Sequence, residues 1–374
     1  MNIFSADATG ELVSRPNRFI VMVRLPDGVV RAHCPNPGRL IELMNPGRTM
    51  ILEKSRTPGR KTEWTLAAAE YNGETVPLYS ARANAITGEL IIPRLFPEAR
   101  EVKAEYSFGH SRFDWHFFNG DKEIFLEVKA CTLIEEGVAM FPDAPSLRAS
   151  RHIEELAAIG EDDNREAHVV FVIMNPETEL FIPNLHTDPD FALTLSRCQD
   201  RVSYHGVSAS CTPEGNLNLS RIDVPVLCDR DAVAAKNSGV YMILLKMGTC
   251  RIDVGALGTM DFREGWYIYT GSAMKNLSSR VKRHLTKRKK KHWHIDYLAQ
   301  EAEKTKAFPV YTLSDLECSL AEDLSLLADD RVEGFGSSDC HCPSHLFYFR
   351  DDPLQNRAFL NLLFLYRHKK AFET

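Results

Sequence analysis

Two sets of residues in this chain have the types and spacing for phosphate chemistry. The first lies in "SRFDWHFFNGDKEIFLEVKA", where Asp114 precedes Glu127 and Lys129. Two carboxylates beside one ammonium can hold Mg²⁺ or Mn²⁺ and offset charge that develops on a phosphate. The second set is spread over "GVYMILL", "GWYIYTGSA" and "LSSRVKRHL", which supply Tyr241, Tyr269, Arg280 and His284. Two phenols near one phosphate can position or deprotonate water, and a guanidinium can grip the phosphate oxygens as a fork. In "SDLECSLAEDL", Glu317 is chosen as the carboxylate that would hold a metal there, with Glu322 competing.

These residues need elements to place them. Two β-rich runs flank "NGDK", and Asn-Gly suits a tight hairpin turn. Asp114 falls on the first strand. Glu127 and Lys129 fall on the second, two apart and so on one face. A salt bridge across a half-exposed hairpin is the plain alternative, but the apolar residues of "IFLEVKACTL" predict a buried strand, where unpaired charge is costly. His152 sits on a following helix, either facing this centre or packing at the surface.

In the second set, Leu277, Val281 and Leu285 recur every four residues and predict a buried stripe. Arg280 and His284 lie beside it, one turn apart, and Ser272 is expected as the N-cap. Lys287, Arg288, Lys289, Lys290 and Lys291 lie beyond the last apolar position, as a phosphate-attracting tail.

The rest of the chain sets limits. Its 374 residues suggest two or three domains. The net charge is −6, so basic character is local rather than global. No run approaches the roughly 18 apolar residues of a membrane helix. The opening residues lack a basic start followed by an apolar core, so no secretory signal is expected. Nine scattered cysteines do not read as a disulfide framework and suggest a reducing cytoplasm. Short β-like runs with Gly/Pro turns predict a small barrel over 1–78. Mixed helix and strand follow over 79–228. After a polar linker at "CDRDAVAAKNS", strand–strand–helix order predicts an α+β domain over 237–374.

The motifs "NRF", "CPNPGRL", "SRFD", "EVKACTL", "GVAMFPDAPSLRASRHIEEL" and "HVVFVI" appear in that order. Together they resemble the sugar fermentation stimulation protein A (SfsA) family. The resemblance implies an OB-like barrel followed by a PD-(D/E)XK nuclease-like α/β domain, with DNA binding as the family activity. It implies metal ligation by Asp114 and Glu127, with Lys129 stabilising charge or positioning water. Pro37 stands where a threonine is expected before Gly38. Asn36 and Arg39 in that turn could touch phosphate, or the turn could be purely structural.

Gly239-Val240-Tyr241, Tyr269-Thr270-Gly271, Arg280 and His284, with "KHWHIDYL" and "GFGSSDCHCPSHLF", resemble a GIY-YIG-related domain of unknown function. Valine replaces isoleucine in the first triad. The wide gap between the tyrosine motifs implies an inserted hairpin, and the asparagine expected after the metal glutamate has no counterpart. Cys340, Cys342 and His345 offer zinc ligands, or else small side chains of a packed loop.

The expected function is that of a Mg²⁺- or Mn²⁺-dependent endonuclease acting on DNA or RNA. The alternative is a non-catalytic DNA-binding regulator of the SfsA type. A glycoside hydrolase with Asp114 and Glu127 as paired acids leaves the tyrosines and the basic helix without a role.

Overall fold

The computed structural model describes residues 1–56, 59–109, 111–228, 237–368 and 370. Most of the expected linker at "CDRDAVAAKNS", residues 229–236, lies outside them, as do residues 371–374. The chain forms two compact units, Met1–Asp231 and Ala232–Thr374.

The first unit begins with an OB-like barrel. Its strands run in the order Gly28–His33, Ile20–Leu25, Ala8–Asn17, Thr49–Lys54, Trp64–Tyr71 and Glu74–Pro77. Gly28–His33 also pairs with Trp64–Tyr71, which curls the sheet back on itself. A second six-stranded sheet follows, in the order Leu217–Val224, Val202–Cys211, Arg165–Ile173, Lys122–Cys131, Ser111–Asn119 and Ala99–Phe108. Arg165–Ile173 runs parallel to both its neighbours, and its residues Val169–Ile173 are buried on both faces, as central parallel strands are. Ile124, Leu126, Val170 and Val172 share one core with the barrel. Phe125, Val169 and Phe171 face the opposite way, toward the helices Leu147–Ile159 and Pro189–Cys198. Alternation therefore places Glu127, two residues after Phe125, on the helix side.

The hairpin closes one residue later than Asn-Gly predicts. Asn119 pairs with Lys122, so the turn centres on Gly120-Asp121, with Gly120 at φ +59°.

The second unit is built on an antiparallel sheet ordered Lys304–Tyr311, Gly239–Met247, Gly265–Ala273, Leu346–Phe349 and Asp330–Arg331. A separate hairpin, Cys250–Asp253 with Thr259–Phe262, comes between the two tyrosine strands in chain order, while those strands pair directly with each other. Helices Leu277–Leu285, His294–Glu301, Glu317–Ser325 and Arg357–His368 accompany the sheet. Two expectations for the first of these fail. Its N-cap is Asn276, left-handed at φ 60°, whereas Ser272 belongs to the preceding strand. Leu285 is 43% exposed, and His284 takes the inward place expected of it. The helix turns its polar imidazole inward because a buried tyrosine and a buried carboxylate wait there.

Candidate functional site

In the first unit the hairpin ladder stops at the pair Trp115–Leu126. Beyond it the strands part, and the carboxylate of Asp114 replaces a backbone acceptor. Its Oδ2 accepts from the Val128 amide at 2.7 Å. Its Oδ1 accepts from Asn84 Nδ2 at 3.0 Å, out of the helical turn Arg82–Ile86. Burial, and next the charge of Glu127, push the Asp114 carboxyl up to about 6.

Glu127 is 5% exposed. Its Oε1 accepts from Lys129 Nζ at 2.5 Å and from His152 Nδ1 at 2.7 Å. Arg148 Nε donates to His152 Nε2 at 3.3 Å, which leaves the ring hydrogen on Nδ1. Burial alone would raise the Glu127 carboxyl, but His152 and Lys129 outweigh it and hold it below the usual range. The other oxygen, Oε2, is buried with no hydrogen-bond partner among the described residues.

The "CPNPGRL" turn lies at this site. A cavity of about 370 Å³ is bounded by Asn36, Gly38, Lys129, Thr132 and Asp143. Asn36 is buried and shapes the turn, taking the Gly38 amide at 2.9 Å and reaching Thr132 at 3.4 Å. Asn36 is thus held within the turn at the cavity wall, whereas Arg39 is exposed. Arg15 was missed by sequence reasoning. Its guanidinium donates to the carbonyls of Gly38 at 2.8 Å and Arg18 at 3.0 Å, binding the turn to the first barrel strand.

In the second unit, Tyr241, Tyr269, Arg280 and Glu317 line one cleft of about 350 Å³. Glu322 faces a different cavity. The Tyr241 hydroxyl lies 3.0 Å from His284 Nε2. Burial pushes both phenols above their ordinary range, with Arg280 pulling the other way, so both stay protonated near neutrality. Ser272 donates its hydroxyl to Glu317 Oε2. Burial, with Asp339 and Asp315 nearby, still leaves the Glu317 carboxyl above its usual range.

The cleft also contains residues that periodicity did not single out. Trp293 stacks on the guanidinium groups of Arg280 and Arg283, each 4.3 Å from its ring centre. Asp339 lines the cleft as well. Gly271 has a steric reason: a Cβ there would lie 2.5 Å from the Tyr241 hydroxyl oxygen. Gly271→Ala is therefore expected to break the Tyr241–His284 bond and to destabilise the unit by about 1–3 kcal/mol, measured by denaturant unfolding. Unchanged stability would mean that Tyr241 can move aside freely.

The basic tail divides. Arg288, Lys290 and Lys291 are exposed, and Lys287 Nζ donates to the Ala302 carbonyl at 3.0 Å. Lys289 points inward, 6% exposed, and pairs with Asp296 at 3.1 Å. It also donates to the carbonyls of Arg283 and His284, closing the C-terminal end of the helix. Lys289 thus belongs to the interior and not to a solvent-facing row.

Cys340, Cys342 and His345 come together as expected, and Cys318 joins them. The four donor atoms lie within 4.8 Å of one another. Three thiols and an imidazole suit Zn²⁺ far better than Mg²⁺. None of the nine cysteines is disulfide-bonded. Among the described residues no helix is long and apolar enough to cross a membrane.

Comparison with known proteins divides the chain in the same order. Residues 13–78 match the SfsA N-terminal OB domain, and 81–215 match the sugar fermentation stimulation protein RE domain. Residues 240–364 match the domain of unknown function DUF123. A sugar fermentation stimulation protein homolog from Desulfitobacterium hafniense is 37% identical over 191 residues, 51% of this chain and 83% of that protein. One from Methanothermobacter thermautotrophicus is 38% identical over 196 residues, 51% of this chain and 80% of that protein. The structure of Pyrococcus furiosus SfsA in complex with Ca²⁺ is similar at 30% identity and a TM-score of 0.53, covering 61% of this chain and 99% of that one. With 80% or more of the length of each of these relatives covered, the chain belongs to the sugar fermentation stimulation protein (SfsA) family, and residues 240–364 after those domains match DUF123.

Proposed function

We propose that this chain binds nucleic acid, and that Asp114, Glu127 and Lys129 form a divalent-cation-dependent phosphodiesterase centre of the PD-(D/E)XK type. The observation that carries the reading is Glu127 Oε2: a buried carboxylate oxygen without a hydrogen-bond partner among the described residues, beside Asp114, whose carboxyl pKa burial raises. Such an oxygen is costly unless it accepts something. The hard oxygen donors of Asp114 and Glu127 fit Mg²⁺ or Mn²⁺, and the Pyrococcus furiosus relative was solved with Ca²⁺, a cation of the same donor preference. When bound, such a cation would withdraw charge from a phosphodiester and acidify water. His152 and Asn84 orient the two carboxylates. Lys129 supplies positive charge at the cavity beside the "CPNPGRL" turn.

The domain over 237–374 is read as GIY-YIG-related, because one cleft gathers Tyr241, Tyr269, Arg280 and Glu317. The protonated phenols hold water or phosphate by hydrogen bonds. His284 Nε2 can accept the hydrogen bond of the Tyr241 hydroxyl and so orient that phenol, and Arg280 grips phosphate. Glu317 would hold the cation of this cleft. Arg288, Lys290 and Lys291 add salt-sensitive attraction to the backbone. The three domains are assigned as 1–78, 79–228 and 237–374.

One observation favours a second reading, a non-catalytic DNA-binding regulator. Lys129, at the cavity wall, already has Glu127 as its partner at 2.5 Å, so its charge is largely answered within the protein. The experiment is a Mg²⁺/Mn²⁺ cleavage assay on single-stranded DNA, duplex DNA and RNA, with binding measured in parallel. Wild type is compared with Glu127→Ala, Tyr241→Phe and Glu317→Ala. Cleavage lost in Glu127→Ala or Glu317→Ala locates the active module. Binding without cleavage by the wild type selects the regulator.

A further inference from the structure

Two of the acids at the second cleft each precede a residue of the thiol cluster. Glu317 is followed by Cys318, and Asp339 by Cys340. Both acids line the cleft beside Tyr269. The helix Glu317–Ser325 supplies one pair, and the loop between Phe335 and His345 supplies the other. The segments behind the two acids meet at the thiols, so a link there would fix the separation of the two carboxyls.

We propose that Cys318, Cys340, Cys342 and His345 bind one zinc ion, and that this ion clamps Glu317 and Asp339 into the cleft. The imidazole is already set for it. His345 is 1% exposed, and its Nδ1 lies 2.8 Å from the hydroxyl of Thr270, itself fully buried. The Thr270 amide donates to the His345 carbonyl at 2.9 Å, so His345 is tied to the Tyr269 strand through both its backbone and its ring. That leaves Nε2 facing the thiols, 3.2 Å from Cys340 Sγ. A hydrogen bond from the other ring nitrogen to a protein oxygen fixes the tautomer and orientation of a metal-binding histidine, and Thr270 supplies that oxygen here. Zn–S bonds near 2.3 Å and Zn–N bonds near 2.0 Å bring four donors within about 4 Å of each other, close to the spacing present. Metal binding displaces thiol protons to solvent and leaves three thiolates and a neutral imidazole on the ion.

The same parts reach the cleft directly. Glu317 Oε1 lies 3.6 Å from His345 Nδ1. At Gly336, φ +75°, a Cβ would lie 2.8 Å from the Tyr269 ring and 3.3 Å from His345 Cβ, so the clamped loop passes between ring and ligand. The clamp stands whether or not the cleft cuts phosphodiesters.

The test uses the full chain purified under reducing conditions without added metal. Elemental analysis should give one zinc per chain, and X-ray absorption should show three sulfurs and one nitrogen. Cys342→Ser should lose the zinc. On the wild type, removal by a chelator should speed amide exchange at least about tenfold in the 314–322 and 334–345 segments, with reversal on adding zinc back and no change in Met1–Asp231. This arm holds even if the variant fails to fold. A folded protein without zinc, or with a disulfide among these cysteines, overturns the site. Zinc whose removal leaves exchange unchanged overturns the clamp.

Discussion

Glu127→Gln is expected to lose divalent-cation binding in the first unit while keeping its fold. The substitution retains an acceptor for Lys129 and His152 but removes the charge that makes Oε2 a ligand. Calorimetric titration with Mg²⁺, Mn²⁺ and Ca²⁺ should show affinity falling by more than the roughly 10–100-fold typical of losing a residue that only hydrogen-bonds to a ligand. Any cleavage by this module should fall with it. Glu127→Ala removes the charge and the acceptor together. It leaves an ammonium that is 12% exposed without its counter-charge, so it should also cost about 3–5 kcal/mol. The two variants separate chemistry from stability. Cation affinity unchanged in Glu127→Gln would leave Oε2 without a metal role and return the hairpin to a buried salt bridge.

How much of this was legible in the sequence depends on the distance over which each feature is encoded. Asp114, Glu127 and Lys129 lie on one hairpin, where a period of two fixes which side chains share a face, so spacing sufficed for Glu127 and Lys129. The parting of the strands after Trp115–Leu126 was not legible. No local pattern says that a carboxylate will replace a carbonyl as acceptor for Val128. Asn84 and His152 arrive from separate helical segments, and only tertiary packing brings them in. In the second unit Arg280 and His284 were found by helical phase. The phase also promised a buried Leu285, because an apolar residue at the right offset is indistinguishable from a core residue until the competing partners of His284 are known. "CHCPSH" announced three ligands of the thiol cluster, but Cys318 comes from a helix packed against the sheet and has no local signal.

Asp296→Ala should be the most destabilising single change in the second unit. Asp296 is completely buried. Arg283 binds it through both guanidinium nitrogens, at 3.0 and 2.8 Å, and Lys289 lies at 3.1 Å. The amides of His292 and Trp293 donate to it at 2.9 and 3.0 Å. His284 Nδ1 is 3.7 Å away, close enough to feel the charge but beyond hydrogen-bond length. Removing the carboxylate leaves Lys289 and part of Arg283 as buried cations without a counter-charge, which costs about 3–5 kcal/mol. It also unfastens Trp293 and the end of the basic helix, and with them Arg280 in the cleft. Asp296→Asn keeps the shape but should lose most of the same stability. The pH dependence follows from the shift. Burial would raise this carboxyl, yet His284, Arg283 and the two amides depress it strongly. Its contribution should therefore be whole above the unfolded value of about 4 and vanish only as pH falls through the depressed folded value. Urea unfolding of wild type and Asp296→Asn should give a constant stability gap from pH 8 down to about 5. A gap that closes between pH 7 and 5 would mean that the carboxylate is not the charged hub of the fold, and the inward turn of Lys289 would need another cause.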